Sequence, residues 1–169
     1  MKRILLICFL LAAFGGLQAQ QYERELGIRL GYTSGISGKV IKDRSVAIEG
    51  MIGFRQGGMQ FYGLVEAYKP LIVNQKVDWR MYFGGGAHLG YVNGYDRIRG
   101  WDSYNGYYYE EIWVSGMVIG LDGVFGTEYT FPKVPIALSV EFKPFIELQN
   151  FQRVEVNFYD FGFGIKYRF

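Results

Sequence analysis

Residues 159–169 read Tyr159-Asp160-Phe161-Gly162-Phe163-Gly164-Ile165-Lys166-Tyr167-Arg168-Phe169. Every second residue from Tyr159 is aromatic or aliphatic, and the residues between them are Asp, Gly, Gly, Lys and Arg. Successive side chains of a strand point to opposite faces. A strand here therefore has one greasy wall and one polar wall.

The same division recurs upstream. Leu26, Ile28, Leu30 and Tyr32 oppose Glu25, Gly27, Arg29, Gly31 and Thr33; Val46, Ile48, Ile52 and Phe54 oppose Glu49 and Arg55. Phe61, Val65 and Ala67 oppose Gln60, Tyr62 and Glu66 over residues 59–68, and Trp79, Met81, Phe83, Ala87, Leu89 and Tyr91 oppose Arg80, Tyr82, Gly84, Gly86 and His88 over 79–91. Residues 113–131 set Met117, Ile119, Leu121, Phe125 and Tyr129 against Asp122 and Glu128; residues 136–147 set Ile136, Leu138, Val140 and Phe142 against Ser139, Glu141, Lys143 and Glu147. Pro144 interrupts that last strand and predicts a bulge in it. Residues 35–42 give a weaker strand, so the expected number is eight. Segments of about ten residues with period-two alternation are what a membrane β-barrel needs.

The rest of the chain fits that frame. After residue 20 no run of about 18 apolar residues exists, so any membrane span is made of strands. Aromatics at 18% and 24 glycines in 169 residues are high for a water-soluble domain and ordinary for a membrane barrel. Lys2 and Arg3, an apolar run from Ile4 to Phe14 and small Ala19 make residues 1–19 a secretory signal peptide, with a barrel domain over 20–169. Without Lys2 and Arg3 the 18 basic residues fall to 16, equal to the 16 acidic ones, which argues against nucleic acid as a partner. The single cysteine, Cys8, lies inside the signal run, too early for lipid attachment, so neither a disulfide nor a thiolate metal site is expected.

A water-soluble β-sandwich or lipocalin would also alternate, but with its apolar face inward. Aromatic banding separates the two. If both termini lie in the periplasm, Trp79, Tyr129, Phe131, Tyr167 and Phe169 collect at one membrane interface and Tyr32, Phe54, Phe61, Tyr91, Trp113 and Tyr159 at the other, with aliphatic residues between. The opposite face carries Glu25, Arg29, Glu49, Arg55, Glu66, Arg80, Asp122, Glu128, Glu141, Lys143, Glu147, Lys166 and Arg168. A basic residue facing lipid at mid-bilayer costs about 2–4 kcal/mol, so these charges are expected to line the lumen. Acids and bases there are nearly balanced, which predicts pairing across a bore only just wide enough for side chains. Inward glycines leave room for the larger neighbours.

On these residues the chain resembles the eight-stranded outer-membrane barrels of the OmpA-membrane-domain and OmpX type, within the porin-like superfamily. The expected fold is all-β, an eight-stranded antiparallel up-and-down transmembrane β-barrel in a Gram-negative outer membrane. Phe163, Ile165, Tyr167 and the terminal Phe169 resemble the end-of-chain signal read by the barrel assembly machinery. The resemblance implies partners in membrane lipid, lipopolysaccharide and that machinery, and a closed monomer. It transfers no functional residues, because its members share an architecture more than a site.

Little in the chain promises chemistry. His88, the only histidine, shares the inward face of its strand with Gly86 and Gly90. That parity suits a lumen polar residue, where lipid-modifying barrel enzymes present a His toward the membrane. Gly84-Gly85-Gly86 and Ser37-Gly38-Lys39 lack phosphate-loop spacing, since Thr33 stands where the first glycine belongs. No catalytic, cofactor or metal residue is assigned. Residues 93–111 read as one long extracellular connection in which Tyr95, Arg97, Arg99, Trp101, Tyr104 and Tyr107 offer a surface for a glycan or protein ligand, or simply extend the strands among lipid headgroups. A non-enzymatic envelope or surface-binding role stands first, a narrow solute channel second and a lipid-modifying enzyme third.

Overall fold

The computed structural model describes residues 22–73, 78–102, 104 and 106–169; the signal peptide read over 1–19 lies outside them. Every regular element among the described residues is a strand. In chain order these are β1 (Tyr22–Gly31), β2 (Ser34–Lys42), β3 (Val46–Arg55), β4 (Gly58–Val73), β5 (Asp78–Asp102), β6 (Gly106–Thr130), β7 (Ile136–Phe142), β8 (Phe145–Gln149), β9 (Arg153–Asn157) and β10 (Phe161–Arg168). All pairings are antiparallel: β1 to β6 pair in sequence order, β6 also pairs with β7 and β8, β8 with β9 and β7 with β10, and β10 closes on β1 from Gly31↔Gly162 to Glu25↔Arg168. Segments β7 and β8 follow one barrel strand, β9 and β10 another, which gives the closed eight-stranded barrel.

The strands lean. The row of paired residues from Arg29 runs through Gly35, Gly53, Gln60 and Gly90 to Val118 on β6. Followed the other way, through Gly164 and Ser139, it reaches Glu128, ten residues further along the same strand. That displacement is the shear of the barrel and carries a strand tilt of about 35–45°.

Tight turns join several strands. Asp43 and Arg44, Gln56 and Gly57, and Asn150 and Phe151 are consecutive left-handed residues, with φ between 48° and 64°. Two such residues in a row match the right-handed twist of the strands that they join.

Pro144 does break the strand assignment, yet the bulge falls on its neighbour. Toward β6 the register is continuous, from Phe125↔Phe142 to Asp122↔Phe145, and the Gly123 amide donates to the Pro144 carbonyl at 2.8 Å. On the other side residues 143 and 144 face residues 158–160, three against two, between Phe161↔Phe142 and Phe145↔Asn157. The Asn157 carboxamide oxygen accepts the Tyr159 amide at 2.7 Å inside this bulge. Phe158 and Tyr159 consequently both stand exposed, and Asp160 turns inward.

Residues 93–111 are not an open connection. The β5–β6 ladder continues pair by pair to Asp102↔Gly106, a ribbon standing beyond the β3–β4 turn, where the Asn93 amide still donates to the Gln56 carbonyl at 2.9 Å. Backbone hydrogen bonding carries the strands outward. Trp113 moves with them: it pairs with Tyr95, four residues beyond the Tyr91↔Met117 level.

Burial alternates along the strands as the sequence pattern requires, for example over the whole of β3. Outward stand Leu26, Ile28, Ile48, Val65, Leu121 and Ile165, all 45–65% exposed. Trp79 pairs with Tyr129 near one rim, and Tyr167 pairs with Ile136 beside them. Inward-facing glycines clear the bore: a Cβ on Gly162 would lie 2.6 Å from the Arg29 guanidinium carbon, and one on Gly126 2.5 Å from the Tyr82 ring. The buried apolar clusters are small, Ile41, Ala47, Tyr68, Tyr82 and Val124 in one and Val92, Val114 and Val118 in the other. What fills the barrel is charge.

Candidate functional site

The bore holds two ionic clusters. In the half nearer the ribbon, Arg29 on β1 donates to Glu141 on β7 and lies 2.9 Å from Asp160. Asp160 also accepts the Thr33 hydroxyl at 2.8 Å and the Thr33 amide at 3.2 Å. Lys143 stands 3.4 Å from Asp160 and 3.6 Å from Asp122, with its ammonium 3.8 Å above the Tyr62 ring. His88 on β5 places Nδ1 2.8 Å from Asp122 on β6 and Nε2 2.9 Å from Glu147 on β8. Arg55 on β3 completes the chain by pairing with Glu147 while its guanidinium lies 4.2 Å from the Phe145 ring centre.

The half nearer the termini is built on Lys39. Its ammonium lies 2.6 Å from Glu66 and 3.1 Å from Glu49, donates to the Tyr68 hydroxyl at 2.9 Å and sits 4.5 Å from the Tyr82 ring centre. Tyr68 and Tyr82 stack at 5.2 Å, and their hydroxyls donate to Glu128 at 3.3 Å and Glu141 at 2.6 Å. Lys166 lies 3.6 Å from Glu128 and 3.8 Å from Glu49. At the mouth beyond, Arg80 binds Asp78 at 2.6 Å, and Arg168 lies 3.2 Å from Glu25 and pairs with Glu23.

Of the residues that the sequence assigns to a lumen network, Arg29, Glu49, Arg55, Glu66, Asp122, Glu128, Glu141, Lys143 and Lys166 meet in the bore, all of them buried. Arg80 and Arg168 lie at the terminal mouth, Arg168 beside the expected Glu25 and both near Asp78 or Glu23, which the sequence does not single out. Lys39, Thr33 and Asp160 were missed as network members. The signal for Lys39 is the weak alternation of β2, where Ser37, Lys39 and Ile41 face inward between Ile36, Gly38 and Val40. For Asp160 it is the polar face of the terminal strand itself.

A buried ion pair adds little net stability over an apolar pair, but removing one partner leaves a charge stranded at a cost of about 3–5 kcal/mol. The carboxylates of Asp160, Asp122, Glu147, Glu49 and Glu66 each touch a cation contributed by another strand. The arrangement therefore ties strands together across the bore as well as along the sheet.

Phe163, Ile165, Tyr167 and Phe169 lie on the outward face of the seam strand, 48–67% exposed. Tyr95 is exposed and meets Trp113 edge-on at 4.8 Å, and Tyr104 is almost wholly exposed. The binding surface read at Arg97, Arg99, Trp101 and Tyr107 falls on side chains outside the described ones.

A closed eight-stranded antiparallel barrel, apolar outside and ionic inside, is the class that the fold and the bore define. No family profile matches the chain, and no curated protein matches it. Among solved structures it is similar to the N-terminal β-barrel domain of Pseudomonas aeruginosa OprF, at 12% identity and a TM-score of 0.47, over 88% of this chain and 96% of that one.

Proposed function

We propose that the chain is an integral protein of a Gram-negative outer membrane, non-enzymatic, with a bore plugged by its own ion pairs. The observation that carries this reading is the inversion of the barrel. Its outer wall presents Leu26, Ile48, Val65, Leu121, Phe163 and Ile165, while Lys39, Glu66, His88, Lys143 and Glu147 lie wholly buried within. In water that arrangement exposes the apolar face and hides the charges; in a bilayer both faces have the right surroundings.

In this reading the termini face the periplasm and the β5–β6 ribbon rises on the cell exterior. The outward residues meet membrane lipid and lipopolysaccharide, and Phe163, Ile165, Tyr167 and Phe169 present the seam strand to the barrel assembly machinery. The role is envelope maintenance or surface contact through the ribbon, by a monomer whose closed sheet leaves no edge within the membrane.

Planar-bilayer recording of the folded protein tests the plugged bore. The reading predicts no sustained conductance at neutral pH. A steady, large conductance contradicts it. Deletion of residues 96–109 tests the surface role separately, since a role that depends on the ribbon is lost while the folded barrel persists.

A further inference from the structure

His88 is held on both ring nitrogens. Asp122 faces Nδ1 at 2.8 Å and Glu147 faces Nε2 at 2.9 Å, and the side chain has no solvent exposure. A neutral imidazole has one N–H and one lone pair, so it can satisfy one carboxylate and must turn its lone pair on the other. Only the imidazolium donates to both.

The surrounding charges ask for the same state. Around the ring the cations are Arg29, Arg55 and Lys143 and the anions are Asp122, Glu141, Glu147 and Asp160; Gln149 joins Glu147 to Glu155 on β9, and Arg153 on the same strand adds one charge of the opposite sign. A protonated His88 makes the two sets equal. A neutral one leaves a carboxylate in surplus where little water is present to screen it.

Every strand packed against the ring contributes to this cage. Tyr62 on β4 lies 5.0 Å from the ring, Asp122 on β6 and Glu147 on β8 hold its nitrogens, and Phe145 on β8 meets it edge-on at 5.8 Å. Arg55 on β3 reaches the ring through Glu147, and Lys143 reaches it through Asp122 and Tyr62. Gly120 on β6 leaves room for the ring, since a Cβ there would collide with the His88 Cε1.

We propose that His88 is a proton-held latch: as imidazolium it bridges Asp122 on β6 to Glu147 on β8 and keeps the outer half of the bore shut, and loss of that proton releases one carboxylate and lets water and small ions through. The proposal rests on the plugged bore described above.

Since His88 is the only histidine of the chain, its ¹⁵N signals in a detergent-solubilised sample need no assignment. The test pairs that readout with potassium chloride conductance in planar bilayers, from about pH 6 to about pH 9. The latch predicts silence while both ring nitrogens are protonated. An about tenfold or greater rise in open probability accompanies loss of one proton. It also predicts that His88→Gln, with its boiling-dependent gel shift intact, opens at a pH where the parent is silent. A His88→Gln barrel that is folded and as silent as the parent overturns the latch. So does a ring carrying a single proton while the parent is silent, and that measurement decides the matter if the variant does not fold. Steady conductance of the parent at every pH would instead overturn the plugged bore.

Discussion

The carboxylate of Asp160 spans the seam where the first and last strands meet, accepting the hydroxyl of Thr33 at 2.8 Å and its amide at 3.2 Å. The same carboxylate binds Arg29 at 2.9 Å and Lys143 at 3.4 Å. One acidic side chain, aimed inward by the bulge at 158–160, thus joins β1 to the strand pair on the other side of the seam. At the opposite end of the seam Arg168 on β10 binds Glu23 and Glu25 on β1. The closure is pinned at both ends.

Asp160→Ala strands Arg29 and Lys143 with fewer counter-charges and should cost about 3–5 kcal/mol. The expected result is a lower midpoint for urea unfolding in lipid vesicles, with Thr33→Val showing a smaller loss in the same direction. An unchanged midpoint for Asp160→Ala would show that the seam does not depend on this contact.

Lys39→Met leaves Glu49 and Glu66 facing each other without their shared cation, again at a cost of about 3–5 kcal/mol. Adding Glu66→Gln to it should restore part of the loss, with a coupling of about 0.5–3 kcal/mol. Strictly additive losses in the unfolding midpoint would contradict a shared cluster.

Glycines on the two faces should behave differently. Gly162→Ala drives a methyl into Arg29 and should cost about 1–3 kcal/mol. Gly50 faces outward with nothing within 4 Å of a built Cβ, so Gly50→Ala should stay within about 0.5 kcal/mol of the parent. Equal effects at the two sites would contradict the assignment of inside and outside.

Ile48, 64% exposed on the outer wall, is paired with Val40 and Val65 in the aliphatic zone. Ile48→Arg should destabilise the protein in vesicles by about 2–4 kcal/mol, because the guanidinium would face hydrocarbon. A water-facing wall would accept the same change at no cost.

Much of this was legible in the sequence because a strand's side-chain period is two. The alternation of residues 159–169 carries straight into β10, and β3 occupies residues 46–55 as its pattern requires. Lys39 was missed because Ser, Gly and Gly around it blur the contrast between the faces of β2. Pro144 points to a bulge in its own strand, but it keeps its carbonyl bond to Gly123, so the extra residue appears opposite it. Partners across the bore, such as Glu147 for Arg55 and Asp160 for Arg29, depend on which strands face one another after closure and on the shear. Period-two alternation fixes only the face of each residue.

Membrane residence is tested most directly by gel mobility of the protein extracted from outer membranes, compared with and without boiling in detergent, beside its far-ultraviolet circular dichroism. An apolar-out barrel predicts recovery in the outer-membrane fraction, a β-dominated spectrum and a boiling-dependent shift in mobility. A water-soluble protein with one mobility under both conditions would contradict the lipid-facing wall.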